Sequence, residues 1–60
     1  ISYEEIVNML SIGFTVAKIA SEYNVNTRSL EAKLVRMRDK SSSINNTHLV
    51  ANYLRKGLIK

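Results

Sequence analysis

The chain has 60 residues, a net charge of +4 and no cysteine. A chain this short makes one domain at most and buries only about 60% of its unfolded surface, so its stability is marginal. The composition excludes disulfides and thiolate metal sites, and the one histidine cannot build a metal cluster.

No apolar run approaches the roughly 20 residues that span a bilayer, and no signal-peptide pattern is visible. The expectation is a cytoplasmic protein without a membrane partner. Because the chain starts at Ile1 rather than Met, residues 1–60 read as a single domain cut from a longer protein. Charge is unevenly spread. Residues 1–26 hold one base (Lys18) and three acids (Glu4, Glu5, Glu22), a net −2. Residues 27–60 hold eight bases (Arg28, Lys33, Arg36, Arg38, Lys40, Arg55, Lys56, Lys60) and two acids (Glu31, Asp39), a net +6. A basic cluster on one element is the electrostatic footprint of a nucleic-acid binder; a plain solvated basic surface is the alternative.

The first predicted element runs over about 2–12. Ser2 and Glu5 have capping-box spacing, and Glu4 and Glu5 sit where the helix dipole favours acids. Tyr3, Ile6, Val7 and Leu10 make one apolar face with Met9 beside it. Gly13 ends the helix, Phe14 enters the core and Thr15 caps the next helix.

The second helix is predicted at about 16–24. Val16, Ile19, Ala20 and Tyr23 share a face, and the small Ala20 lets a neighbouring helix approach. Lys18, Ser21 and Glu22 face outward. The sequence Asn24-Val25-Asn26 breaks the pattern. Asn24 tolerates the left-handed backbone that ends a helix, and Asn26 caps the next.

The third helix is predicted at about 27–39, with Leu30, Leu34 and Met37 inward at i, i+4 and i+7. Its other side carries Arg28, Glu31, Ala32, Val35 and Arg36, with Thr27 at the start. Arginine, asparagine and threonine can bond base edges in a major groove, and alanine permits close approach. Arg28 suits guanine O6 and N7. Asn26 can pair with adenine or cap the helix, but not both fully. Glu31 repels phosphate, so it either accepts from cytosine N4 or orients Arg28 or Lys33 by a local pair.

The polar run DKSSSINN over 39–46 lacks helical periodicity, and residues 40–46 read as a linker. Asn46 or Thr47 then caps a fourth helix over about 47–56, stopped by Gly57 with Leu58 after it. Its face of Leu49, Val50, Tyr53 and Leu54 either covers a thin three-helix core or forms a homodimer contact. His48 reads as a surface residue without a catalytic partner.

The stretch IASEYNVNTRSLEAKLVRM resembles the second and third helices of homeodomain-like, Myb-like trihelical domains of phage and bacterial regulators. The resemblance covers about 1–39 and is strongest over 16–38. It departs at Asn24, where glycine is usual, and at Glu31, where an apolar or neutral residue is usual. It implies an all-α, three-helix bundle with a helix-turn-helix motif, to which the sequence adds a fourth C-terminal helix. It places the third helix in the major groove, with Asn26, Thr27, Arg28, Glu31 and Ala32 near base edges and Lys33 and Arg36 near phosphates. Lys18, Arg38 and Lys40 join the expected phosphate contacts through their charge and position. The expected function is sequence-specific binding of double-stranded DNA, in transcription regulation or in targeting a larger protein to the nucleoid. The alternative is a protein-interaction or dimerisation module. No catalytic constellation, cofactor motif or metal-ligand set is evident, so no enzyme and no cofactor is expected.

Overall fold

Most helix starts and stops are written locally in the chain. The computed structural model describes residues 2–59, and Lys60 of the basic C-terminal half lies outside them. It holds α1 (Tyr3–Ser11), α2 (Val16–Glu22), α3 (Thr27–Ser41) and α4 (Asn46–Arg55), with no strand among the described residues.

A polar side chain opens every helix, because the first backbone N–H groups lack helical partners. The Ser2 hydroxyl accepts from the Glu5 N–H at 3.2 Å, and the Glu5 carboxylate accepts from the Ser2 N–H at 3.2 Å, closing the expected capping box. Thr15 Oγ1 accepts from the Lys18 N–H at 3.1 Å, and Asn26 Oδ1 from the Arg28 N–H at 2.7 Å. For α4 the cap is Asn45, whose Oδ1 accepts from the His48 N–H at 2.8 Å. The expected caps, Asn46 and Thr47, are already inside the helix.

Every helix also closes the same way. Gly13 (φ 100°), Asn24 (φ 53°), Ser42 (φ 56°) and Gly57 (φ 72°) take the left-handed conformation after α1, α2, α3 and α4. The next residue then donates back to a carbonyl of the last turn: Phe14 to Met9 (3.0 Å), Val25 to Ala20 (2.9 Å), Ser43 to Arg38 (2.8 Å) and Leu58 to Tyr53 (2.9 Å). This is the Schellman closure, which satisfies carbonyls otherwise left open. The stops at Gly13, Asn24 and Gly57 fall where the sequence predicts them.

Ser42 is the unforeseen one, and it corrects the third helix. α3 runs to Ser41, so residues 40 and 41 of the expected linker are helical and the connection shrinks to 42–45. Ser41 lies one turn beyond Met37 on the inward side. Its hydroxyl donates to the Met37 carbonyl at 2.8 Å and meets the Ser43 hydroxyl at 2.6 Å. A polar residue thus continues the helix without apolar periodicity, because it has its own hydrogen-bond partners. α1 and α2 are a little shorter than expected, ending at Ser11 and Glu22, and α4 begins and ends one residue earlier.

One core joins all four helices. Ile6 and Val7 of α1, Ile19 and Ala20 of α2, Leu30, Leu34 and Met37 of α3, and Leu49 and Tyr53 of α4 are buried together with Ile59. Tyr3, Leu10, Phe14 and Tyr23 pack at its margin. α2 packs on α1 and α3, and α4 packs on α1 and α3, so α4 closes the bundle. The radius of gyration is 10.6 Å. A folded chain of this length is expected at about 10.4 Å, so α4 is folded back onto the others rather than trailing away. Leu49 has no exposed surface. Full burial of such a side chain contributes about 1.5–3 kcal/mol, large for so small a domain.

Candidate nucleic-acid interface

The connection between α2 and α3 spans residues 23–26. Tyr23 ends α2, Asn24 reverses the chain, and Asn26 opens α3. The Tyr23 hydroxyl donates to Glu5 Oε2 at 3.3 Å, which ties the end of α2 to the first turn of α1. The Ser2 backbone N–H is the main cause that holds the Glu5 carboxyl below the ordinary carboxylate range, and the Tyr23 hydroxyl adds to it. Desolvation, then the charge of Glu5, pushes the Tyr23 phenol up. The Tyr23–Glu5 bond thus fixes the residue that leads into the turn before α3 against α1.

From there α3 presents its solvent face. Thr27, Arg28, Ser29, Glu31, Ala32, Val35 and Arg36 are all exposed. The buried Leu30, Leu34 and Met37 lie on the opposite side of the same helix. Among the described residues, the side chains of Thr27, Arg28 and Arg36 have no intramolecular hydrogen bond or ion pair. They stay open to an outside partner. The Asn26 side chain does not: its oxygen is engaged as the cap of α3. That leaves its amide N–H groups to donate, whereas pairing with adenine needs both ends of the amide.

The two flanks of α3 differ in chemistry. On one flank, Lys33 and Lys40 both extend their ammonium groups over the Tyr3 ring of α1, each 5.8 Å from its centroid. Arg36 falls between them at i+3 and i+7 spacing, so the three bases share one edge. On the other flank, the Arg38 guanidinium donates to Asn46 Oδ1 of α4. Arg38, expected at a phosphate, thus has its side chain half-buried in the α3–α4 junction.

Glu31 lies on the Arg38 side. It lines a groove of about 250 Å³ with Val16, Leu34, Val35, Arg38 and Asn46. No ion pair to Arg28 or Lys33 forms among the described residues; the one recorded there is Lys18 with Glu22, 3.1 Å apart on α2. Lys18 is thus exposed but partly neutralised by its own helix.

The α4 face divides. Leu49 and Tyr53 are interior, while Leu54 is 47% exposed and Val50 is partly buried. Leu49 and Tyr53 cannot serve a dimer contact while they fill the monomer's own core. His48 is also half-buried: its Nδ1 accepts from the Ile44 N–H at 3.1 Å, a second bond across the start of α4. The expected surface histidine is thus engaged at the helix start through Ile44, four residues before it, while the capping spacing of Asn45 and His48 is the local signal for the Asn45 bond to the His48 N–H. The Tyr3 contacts carry no such signal, because they join residues far apart in the chain. No group of His, Cys, Asp and Glu among the described residues could hold a metal, and no described helix is long and apolar enough to cross a membrane.

Among known proteins, no family model, no curated protein and no solved structure matches this chain.

Proposed function

We propose that the chain binds double-stranded DNA sequence-specifically, with α2 and α3 acting as a helix-turn-helix and α3 entering the major groove. One observation carries the reading. The exposed side of α3 combines unpartnered Thr27, Arg28 and Arg36 with the small Ala32, and Arg36 shares an edge with Lys33 and Lys40. Arg28 offers the two parallel donors that fit guanine O6 and N7, worth about 1–3 kcal/mol against a wrong base. Thr27 and Ala32 flank it at the helix start, and Asn26 contributes at most its amide donor. Lys33, Arg36 and Lys40 take phosphates, each neutralised phosphate adding about 0.9 to the magnitude of the salt slope. Lys18 is a lesser phosphate contact, because Glu22 competes for it. Transcription regulation, or the targeting of a larger protein to DNA, is the role such a module serves.

A second reading has its own support. Val35 is 45% exposed on the same outer face, and Glu31 beside it opposes phosphate. These suit a protein partner for α3 instead of DNA.

The test is selection of bound duplexes from a random pool, followed by two variants. Arg28→Ala should relax sequence preference at one position. Lys33→Ala should weaken binding to all sequences and flatten the salt dependence by about 0.9. No enrichment from the pool, together with no gel shift at low salt, would exclude the DNA reading and favour the protein partner.

A further inference from the structure

We propose that Tyr3 of α1 is a positioning residue for DNA binding, holding Lys33 and Lys40 as a preformed phosphate-contact edge along one flank of α3. The inference rests on the DNA reading above and names where the backbone lies on α3. Lys33 and Lys40 are separated by about 10 Å of helix rise. Two long side chains that far apart would ordinarily sample many rotamers independently. Here both ammonium groups meet the face of one ring at 5.8 Å, within the range of about 6 Å where the ring quadrupole attracts a cation. The Lys33 stem also runs beside Val25, Ser29 and Leu30, around a small groove of about 80 Å³. A lysine stem can cover apolar surface while its charge stays in water.

The opposite flank cannot play this part. Arg38 is drawn into α4 by Asn46, and Glu31 is negative. Of the two flanks of α3, only one therefore offers positive charge to a polyanion: Lys33, Arg36 and Lys40, with Tyr3 beneath two of them. One DNA strand should run along the α1 side of α3, and the flank of Glu31 should face away from phosphate. Ordering a rotamer-rich side chain opposes binding, and a ring that orders two lysines beforehand lowers that opposition.

The experiment compares the parent, Tyr3→Phe, Tyr3→Leu and Lys40→Gln for affinity to a mixed-sequence duplex across a salt series. Proton shifts of the Lys33 and Lys40 ε-methylenes are recorded on the free proteins. Phenylalanine keeps the ring, so Tyr3→Phe should bind like the parent. Leucine keeps apolar packing without a π face, so Tyr3→Leu should bind about fivefold or more weakly with an unchanged salt slope, since both lysines remain. Lys40→Gln should reduce the slope by about 0.9. The ε-methylene signals should be ring-shifted upfield in the parent and in Tyr3→Phe, and normal in Tyr3→Leu. These shifts do not depend on DNA, and a helical circular dichroism spectrum separates lost positioning from lost fold. Parent-like binding by Tyr3→Leu, tighter binding by it, or unshifted methylenes in the parent would each overturn the role of Tyr3 while leaving DNA binding by α3 intact. A parent that binds no duplex would instead remove the DNA reading itself.

Discussion

Replacing Leu49 with alanine separates a core helix from a dimer helix. Leu49 is fully buried in the monomer, in contact with a cluster drawn from all four helices, whereas Leu54 on the same helix is 47% exposed. Leucine-to-alanine changes in a core remove transfer free energy and leave a cavity, together about 2–5 kcal/mol. Folded domains gain roughly 0.05–0.15 kcal/mol per residue, so about 3–9 kcal/mol is the whole stability at this length. Leu49→Ala should therefore remove about a fifth of it at the least. At about 4–8 °C per kcal/mol, the melting temperature should fall by about 8 °C at least, or the transition should vanish. Leu54→Ala should stay within about 0.5 kcal/mol of the parent. The assay is thermal unfolding by circular dichroism at two protein concentrations differing about tenfold. If α4 completes the monomer, the parent's melting temperature should not depend on concentration. A folded state that needed a second copy would melt higher at higher concentration, by mass action. Such a dependence, or equal losses in Leu49→Ala and Leu54→Ala, would refute the assignment of α4 to the monomer core.

Two further outcomes follow from the helix ends. Ser42 holds a left-handed backbone that disfavours residues with a Cβ by about 1–2 kcal/mol, so Ser42→Gly should raise stability by about 0.5–1 kcal/mol in urea unfolding. A loss would mean that its side chain matters more than its backbone. The Glu5 carboxyl is held below its ordinary value of 4.5, chiefly by the Ser2 N–H. Its folded pKa lies below its unfolded one, so its contribution is present above that ordinary value and fades as pH falls through the lowered one. Melting temperatures of the parent and Glu5→Gln should differ at neutral pH and converge in acid; a constant gap would contradict the charge-based account.

Much of the fold was legible because helix ends and helix faces are local. Ser2 with Glu5, Thr15, Asn26, Gly13, Asn24 and Gly57 act within a few residues of themselves, so their positions in the chain announce their roles. The inward stripe of Leu30, Leu34 and Met37 is likewise a matter of helical repeat alone. The end of α3 was not legible, because Ser41 and Ser42 lack the apolar or glycine signal. Ser41 is held by hydrogen bonds to Met37, to Ser43 and, through its carbonyl, to Asn52 of α4, and the Ser42 N–H donates to the Asp39 carbonyl.

The candidate site divides along the same line. By itself the sequence determined that five bases crowd residues 28–40 and that Arg28 and Ala32 lie opposite the apolar stripe of their helix, with Thr27 at its start. Only the tertiary structure decided which of those charges remain available. Arg38 turns to Asn46, Lys33 and Lys40 converge on Tyr3, and Arg28 and Arg36 stay open. The reason is reach: a long cationic side chain takes its partner from whichever helix packs alongside, and that neighbour is set by the three-dimensional fold rather than by distance along the chain.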